Sequence, residues 1–176
     1  MSLRVRIVRK LASLQYLREP SAAFDWHNND ANNSLDALEL FDDDESLLVS
    51  KVQTVANLEG LDPGVHFYDT IAPGKFFLRA FVDPREFKCQ PLGIVGAVTK
   101  RGEPILEDST TVTNKSRWLE HDRKDHQGND TRVAWSAGCI VHWNDDDLVQ
   151  LNAIYKDRGV QPGDLIPAEL FEEGDS

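Results

Sequence analysis

The sequence predicts a mainly β fold, and three observations support that fold class. Its apolar runs are four or five residues long, as in segment 94–98, which is the length of a strand and far short of the ~20 residues of a membrane span. Pro-Gly turns at 63–64, 73–74 and 162–163 punctuate the chain. A helical apolar stripe is found in one place, after residue 144. With 176 residues, 40% of them hydrophobic, the chain suits one domain with one core.

The N-terminal part of the chain is predicted to contain three strands. Leu3 to Val8 alternate apolar residues with arginine, which is typical of a strand with one face in water. Segment 21–35 is rich in Asn, Asp and Ser and indicates a loop. Segments 38–41 and 47–55 flank an acidic turn, so we expect them to form a hairpin.

Further strands are predicted in the middle of the chain. The turn at Pro73-Gly74 leads into a strand over 76–82, and a second strand covers 92–99. Segment 108–113 is a candidate for a short third strand. Residues 114–131 are polar and charged, and a loop of this length is uncommon unless it is functional or disordered.

A helix is predicted over residues 145–156. Asn144 is placed to cap it, and the three aspartates of its first turn interact favourably with the helix dipole. Gly159 ends it, and a last short strand follows at Leu165-Ile166. Its mostly apolar stripe consists of Leu148, Leu151, Asn152 and Tyr155.

The charge of the chain argues against one class of partner. The formal net charge is −11, and nucleic-acid binding requires neutralisation of phosphates, so we expect no nucleic-acid partner. The segment from Asn114 to Arg132 is the exception, with five basic against four acidic residues. It is either a solvated loop or a site that tolerates an anionic substrate.

One cysteine lies in a turn of small residues. Cys139 stands in AWSAGCIVHW (134–143), and it is one of two cysteines, too few for a disulfide scaffold. Small residues allow backbone N–H groups to approach a reacting carbonyl, so Cys139 is a candidate nucleophile. A nucleophilic thiol needs a base, and the nearby histidines are His121, His126 and His142. Cys89 is interpreted as a small buried hydrophobe.

This turn resembles the catalytic motif of the L,D-transpeptidases (the YkuD-like family). His121 is followed by fourteen residues and then by Ser136-Ala137-Gly138-Cys139, a spacing similar to that of the family. The upstream TIAPGKFFLRAF resembles the family's strand entry, with Gly74 as its turn glycine. The resemblance implies an L,D-transpeptidase-like β-sandwich with one or two helices after the cysteine turn. It covers roughly 52–166, to which the first 50 residues are expected to add strands within a single domain (1–176).

The resemblance also implies an activity and roles for single residues. Cys139 would attack the L–D peptide bond of a peptidoglycan stem peptide and form a thioester, and His121 would be its general base. Gly138 and Cys139 would donate oxyanion-hole N–H groups, and Ser136 would hold the turn. The acyl group would pass to an amine or to water. No metal or organic cofactor is implied.

Two positions depart from the family pattern and affect substrate binding. Ala137 replaces a usual histidine, and Val141 replaces a usual arginine or asparagine. Arg123 or Arg132 is expected to take over the role of the missing arginine, since both lie nearby in sequence. Trp135, with Trp118 and Trp143, either lines a substrate groove or packs in the core.

Two other functional classes remain open from the residues. His121, His126, Cys139 and His142 are ligand types that zinc accepts, although their spacing is irregular. His142 also lies three residues after Cys139 on an extended run, where the two side chains point to opposite faces. The third class is a catalytically inactive cell-wall-binding module.

The location of the protein follows only in part from the sequence. No signal peptide is visible, because arginines interrupt the apolar residues between Leu3 and Leu17. As given, the chain is expected to be cytoplasmic. Peptidoglycan lies outside the cytoplasm, so a removed leader or another export route would place the protein in the periplasm or outside the cell. The sequence leaves the oligomeric state open.

Overall fold

The computed structural model describes residues 2–18, 36–55, 69–80, 91–105, 118–122 and 138–174. Strands dominate these residues, so the prediction of a mainly β fold is confirmed. In chain order the elements are β1 (Leu3–Arg9), α1 (Leu11–Arg18), β2 (Asp36–Asp42), β3 (Glu45–Gln53), β4 (Gly74–Arg79), β5 (Leu92–Val95), β6 (Leu119–Asp122), β7 (Ile140–His142), α2 (Asp145–Asp157) and β8 (Leu165–Glu172).

The described strands close into one barrel in the order β1-β2-β3-β7-β6-β5-β4-β8. The sequence predicts a sandwich, and the strand that makes the difference is β8. It pairs in parallel with β1 and antiparallel with β4, so it joins the two edges that would otherwise stay open. Its predicted length of two residues is wrong, because the strand continues through Pro167 to Glu172.

The N-terminal strands form part of the barrel wall. β1 lies between β2 and β8, and its alternating burial agrees with the predicted strand. β2 and β3 form the predicted hairpin around the acidic turn, where Asp43 adopts a φ of 50°. The first 50 residues therefore supply three strands to the same barrel that contains Cys139.

The central strands are shorter than predicted. β4 begins at Gly74, two residues before the predicted start, and ends at Arg79. β5 ends at Val95 because Gly96 turns the chain with a φ of 77°. The predicted loop at 21–35 and the predicted strand at 108–113 lie outside the described residues.

α2 packs against the core, and its bounds agree with those of the predicted helix. Asn144 occupies the N-cap position, although its side chain makes no capping hydrogen bond, and Gly159 follows the helix with a φ of 78°. The predicted stripe of α2 is buried in the same apolar core as the inner faces of the strands. Neither of the two described helices is long and apolar enough to cross a membrane.

The sequence analysis predicted no helix in the N-terminal part of the chain, where the structure has α1. The backbone N–H of Lys10 donates to Asp36 Oδ1 at 2.7 Å, and that of Leu11 donates to Glu173 Oε2 at 2.9 Å. Both acceptors are distant in sequence, so the start of this helix carries no local capping signal.

Candidate functional site

The candidate site lies on β6 and β7, which pair in parallel. Alternate residues of a strand face opposite sides of a sheet, so each of these strands presents two sets of side chains. By this alternation His121 and Val141 share one face of the wall, and Cys139, two residues before Val141, is expected on the same face. The core face carries Glu120, Asp122, Ile140 and His142. Paired positions across the two strands are Glu120 with Ile140, His121 with Val141 and Asp122 with His142.

Gly138 places Cys139 at the start of β7. Its φ is 137°, and a Cβ at this position would lie 2.1 Å from the ring of Trp118 and 2.3 Å from the carbonyl oxygen of Asp69. No side chain fits in that space, so glycine is required for the close approach of the chain to Trp118. The sequence analysis singled out Gly138 for its backbone N–H, and the structure adds this steric reason.

Cys139 is a thiol at a partly exposed position. The backbone N–H of Leu119 donates a hydrogen bond to its Sγ, with an N···S distance of 3.4 Å. A donated hydrogen bond stabilises a thiolate more than a neutral thiol, because it is charge-assisted. The bond holds the sulfur beside β6.

His121 is held in one tautomer by its neighbour. Its Nδ1 forms a hydrogen bond with the carbonyl oxygen of Asp122. A carbonyl only accepts, so Nδ1 carries a proton, and in the neutral imidazole the lone pair is then on Nε2. His121 lies one strand across and two residues along from Cys139, a diagonal of about 8 Å between Cα atoms given a strand spacing of ~4.8 Å and a rise of ~3.3 Å per residue. Strand alternation therefore predicts that the two side chains lie on the same face of the wall.

A buried polar chain lies on the core face of the same strands. The Oγ of Ser50 (β3) and Nδ1 of His142 are 2.7 Å apart, and Nε2 of His142 lies 2.7 Å from Oε1 of Glu120. The Ser50 hydroxyl also donates to Asp147 Oδ2 of α2 at 2.8 Å. The sequence analysis missed Ser50, Glu120 and Asp147, since their separations of up to 97 residues leave no local pattern.

The structure does not assemble the zinc set considered from the sequence. His142 is on the face of β7 opposite to Cys139, and both of its ring nitrogens are engaged by Ser50 and Glu120. Within the part of the chain that the structure describes, no group of three or more ligand-type side chains could hold a metal ion. His126 lies outside that part.

Two tryptophans near the cysteine turn lie within the described residues. Trp118 packs in the core, which confirms the core alternative for this residue. Trp143 is partly exposed. The predicted site residues Ser136, Arg123, Arg132 and Trp135 lie outside the described residues, as does Cys89, which was interpreted as a small buried hydrophobe.

Comparison with known proteins gives one informative relative. A protein of Treponema pallidum (strain Nichols) named only as uncharacterized is 36% identical over 184 aligned residues, which cover 97% of this chain and 80% of the relative. No family model matches the chain. No solved structure matches it with significance. The chain belongs to the same family as the Treponema pallidum protein.

Proposed function

We propose that the protein is a cysteine-dependent acyl transferase or peptidase similar to the L,D-transpeptidases. The observation that carries the proposal is the parallel pairing of β6 and β7, which brings His121 and Cys139 to one face of the wall. Two further contacts support the proposal: Nδ1 of His121 is held by the Asp122 carbonyl, and the Leu119 N–H holds the Cys139 sulfur.

The proposed substrate is the L–D peptide bond of a peptidoglycan stem peptide, as implied by the resemblance of the cysteine turn. We extend the proposal to the fold. The opposite walls of the barrel, β1-β2-β3 and β6-β5-β4, correspond to the two layers of an L,D-transpeptidase-like sandwich.

The proposed reaction has two steps. Nε2 of His121 takes the Cys139 proton, and the thiolate attacks the carbonyl carbon to give a tetrahedral oxyanion, which accepts hydrogen bonds from the Gly138 and Cys139 N–H groups. The C–N bond then breaks, the leaving amine takes the proton from His121, and a thioester remains. An amine or water attacks the thioester carbonyl while His121 accepts a proton from it. The C–S bond then breaks, and His121 returns the proton to the sulfur, which regenerates the thiol.

The test is covalent labelling with a carbapenem, which acylates an activated thiol, followed by intact mass and peptide mapping over a pH series. We expect one adduct on Cys139, with half-maximal rate below pH ~8.5, the value typical of an unactivated thiol. Cys139→Ala should abolish the adduct and His121→Ala should slow it by roughly 10²–10⁴-fold, the usual contribution of a general base. Cys89→Ala is the matched control and should label like the parent.

A stem tetrapeptide then distinguishes the reaction types. Release of its terminal D-residue without an added amine indicates hydrolysis, and a product joined to an added amine indicates transpeptidation. No adduct, or equal labelling of both cysteines, would overturn the proposal and favour an inactive wall-binding module.

A further inference from the structure

The strand that directly follows Cys139 has few paired backbone positions. β7 has three residues, and it is paired with β6 at three positions and with β3 at two. β1, by comparison, is paired with β2 at six positions. A slip of one residue would turn every side chain of a strand to the other face. Such a slip of β6 would move His121 to the core side, away from Cys139.

The buried polar chain connects β3, β7 and β6, whose backbone pairings are short. It joins Ser50 of β3 to His142 of β7 and His142 to Glu120 of β6, through contacts of 2.7 Å each. The side chains of His142 and Glu120 are 0% exposed. Hydrogen bonds are strong in such a buried environment, where the dielectric constant is low. A shift of strand register would break these bonds and leave buried polar groups without partners.

Counting protons gives the direction of the hydrogen bonds in the buried polar chain. The single hydroxyl proton of Ser50 is donated to Asp147, so Nδ1 of His142 must donate its own proton to the Ser50 oxygen. The other ring nitrogen, Nε2, forms the second bond of the residue, to Oε1 of Glu120. His142 thus contacts both neighbouring strands, through one ring nitrogen for each.

We infer that His142 and Glu120 are positioning residues that hold β6 and β7 in the register that places His121 beside Cys139. The inference rests on the proposed function and deepens it. Glu120 immediately precedes His121 and faces the core, so its bond to His142 determines which residues of β6 face outward. Neither residue touches the substrate in this arrangement.

Two substitutions of His142 separate its two bonds. The amide of His142→Gln reaches the position of Nε2 and can still bond to Glu120, whereas the amide of His142→Asn reaches the position of Nδ1 and can still bond to Ser50. We expect His142→Gln to keep the carbapenem acylation rate of Cys139 within about threefold. His142→Asn and Glu120→Ala should reduce it by about 10²-fold, the effect of a misplacement of ~1 Å.

In His142→Asn and Glu120→Ala, the acylation rate at saturating probe should fall. The probe concentration that gives half of this rate should stay unchanged, because the groups that bind the probe stay in place. Leu38→Ala, in a fully buried position on β2, is the matched control for general destabilisation. It should keep the parent rate while folded. Equal losses in Leu38→Ala and Glu120→Ala, or a better rate for Asn than for Gln, would overturn the inference. If His142→Asn does not fold, Glu120→Gln against Glu120→Ala makes the same comparison.

Amide hydrogen exchange separates this inference from the proposed function. In Glu120→Ala, amides of β6 and β7 should exchange at least tenfold faster while those of β1 and β2 keep the parent rates, because opening is local. If the parent protein forms no adduct, the proposed function fails, and exchange still tests the register. Unchanged exchange at β6 and β7, or an equal increase in all strands, would refute the positioning role.

Discussion

Gly138 is the residue on which the position of Cys139 most directly depends. A Cβ there would overlap the Trp118 ring and the Asp69 carbonyl oxygen. Gly138→Ala should therefore push the cysteine turn away from β6 and lower the unfolding free energy, measured by urea denaturation. Acylation of Cys139 should fall with it.

Gly163→Ala is the matched control for the backbone effect. Gly163 also has a positive φ, 92°, but a Cβ there meets nothing within 4 Å. Both substitutions strain the backbone, and Gly138→Ala should cost about 1–3 kcal/mol more because of overpacking. Equal losses would show that the space beside Trp118 is not restrictive.

The hydroxyl of Tyr155 is buried in the core. It has no hydrogen-bond partner among the described residues. A buried polar group of this kind reduces stability, so Tyr155→Phe should raise the unfolding free energy by about 1 kcal/mol. Chemical denaturation at pH 7 measures the change. A loss of more than 1 kcal/mol would contradict the assignment of an unpartnered hydroxyl.

The same residue predicts a loss of stability at alkaline pH. Burial, together with the charge of Glu120, raises the pKa of Tyr155 well above its usual value of 10.0. Between the two values the unfolded chain has lost the tyrosine proton and the folded chain retains it, so stability falls as pH rises above 10. Tyr155→Phe should make the unfolding free energy less steeply dependent on pH in that range. An unchanged slope would show that Tyr155 does not contribute.

At the scale of elements, one buried arginine joins strands that are far apart in sequence. Arg9 of β1 is 0% exposed and donates to the Thr54 hydroxyl, the Thr54 carbonyl and the Ile71 carbonyl at 2.9, 3.1 and 2.7 Å. Its Nη1 also lies 3.7 Å from Glu172 of β8. The arginine fork thus connects three segments at one end of the barrel.

Arg9→Lys should lower the unfolding free energy by about 3 kcal/mol, because a single ammonium cannot replace the fork and leaves buried acceptors without donors. Urea denaturation measures it. Arg6→Lys is the control, since Arg6 lies on the exposed side of the same strand, and its change should stay within about 0.5 kcal/mol. Similar losses in the two variants would contradict the role of the Arg9 fork.

The elements also differ in how well the sequence predicts them. α2 is predicted nearly to the residue, because its apolar stripe and its cap position are local patterns. α1 is missed, because its first turn is capped by Asp36 and by Glu173, 26 and 162 residues away from the N–H groups they accept from. β8 is underestimated, because Pro167 is a strand-breaking signal that does not end this strand.

At the scale of the whole molecule, closure of the barrel makes the N-terminal strands indispensable. β1 pairs with both β2 and β8, so its removal would expose two sheet edges and open the core. A fragment of residues 52–176 should therefore lack a near-ultraviolet circular dichroism signal and a cooperative urea transition. Removal of residues 175–176, which follow β8, should leave both unchanged. A folded 52–176 fragment would show that the first 50 residues are an extension.

The candidate pair His121 and Cys139 came from the resemblance of the cysteine turn to a known family and stays a prediction. The sequence by itself determined the mainly β class, the strand of the N-terminus, the hairpin and α2. These follow from short-range periodicity, turn residues and spacing, which a chain displays locally. Only the tertiary structure decided that the sheet closes, that His142 faces the core, and that Ser50, Glu120 and Asp147 join it there. Register and partner choice depend on contacts between strands distant along the chain, and no local pattern encodes which strand will lie beside which.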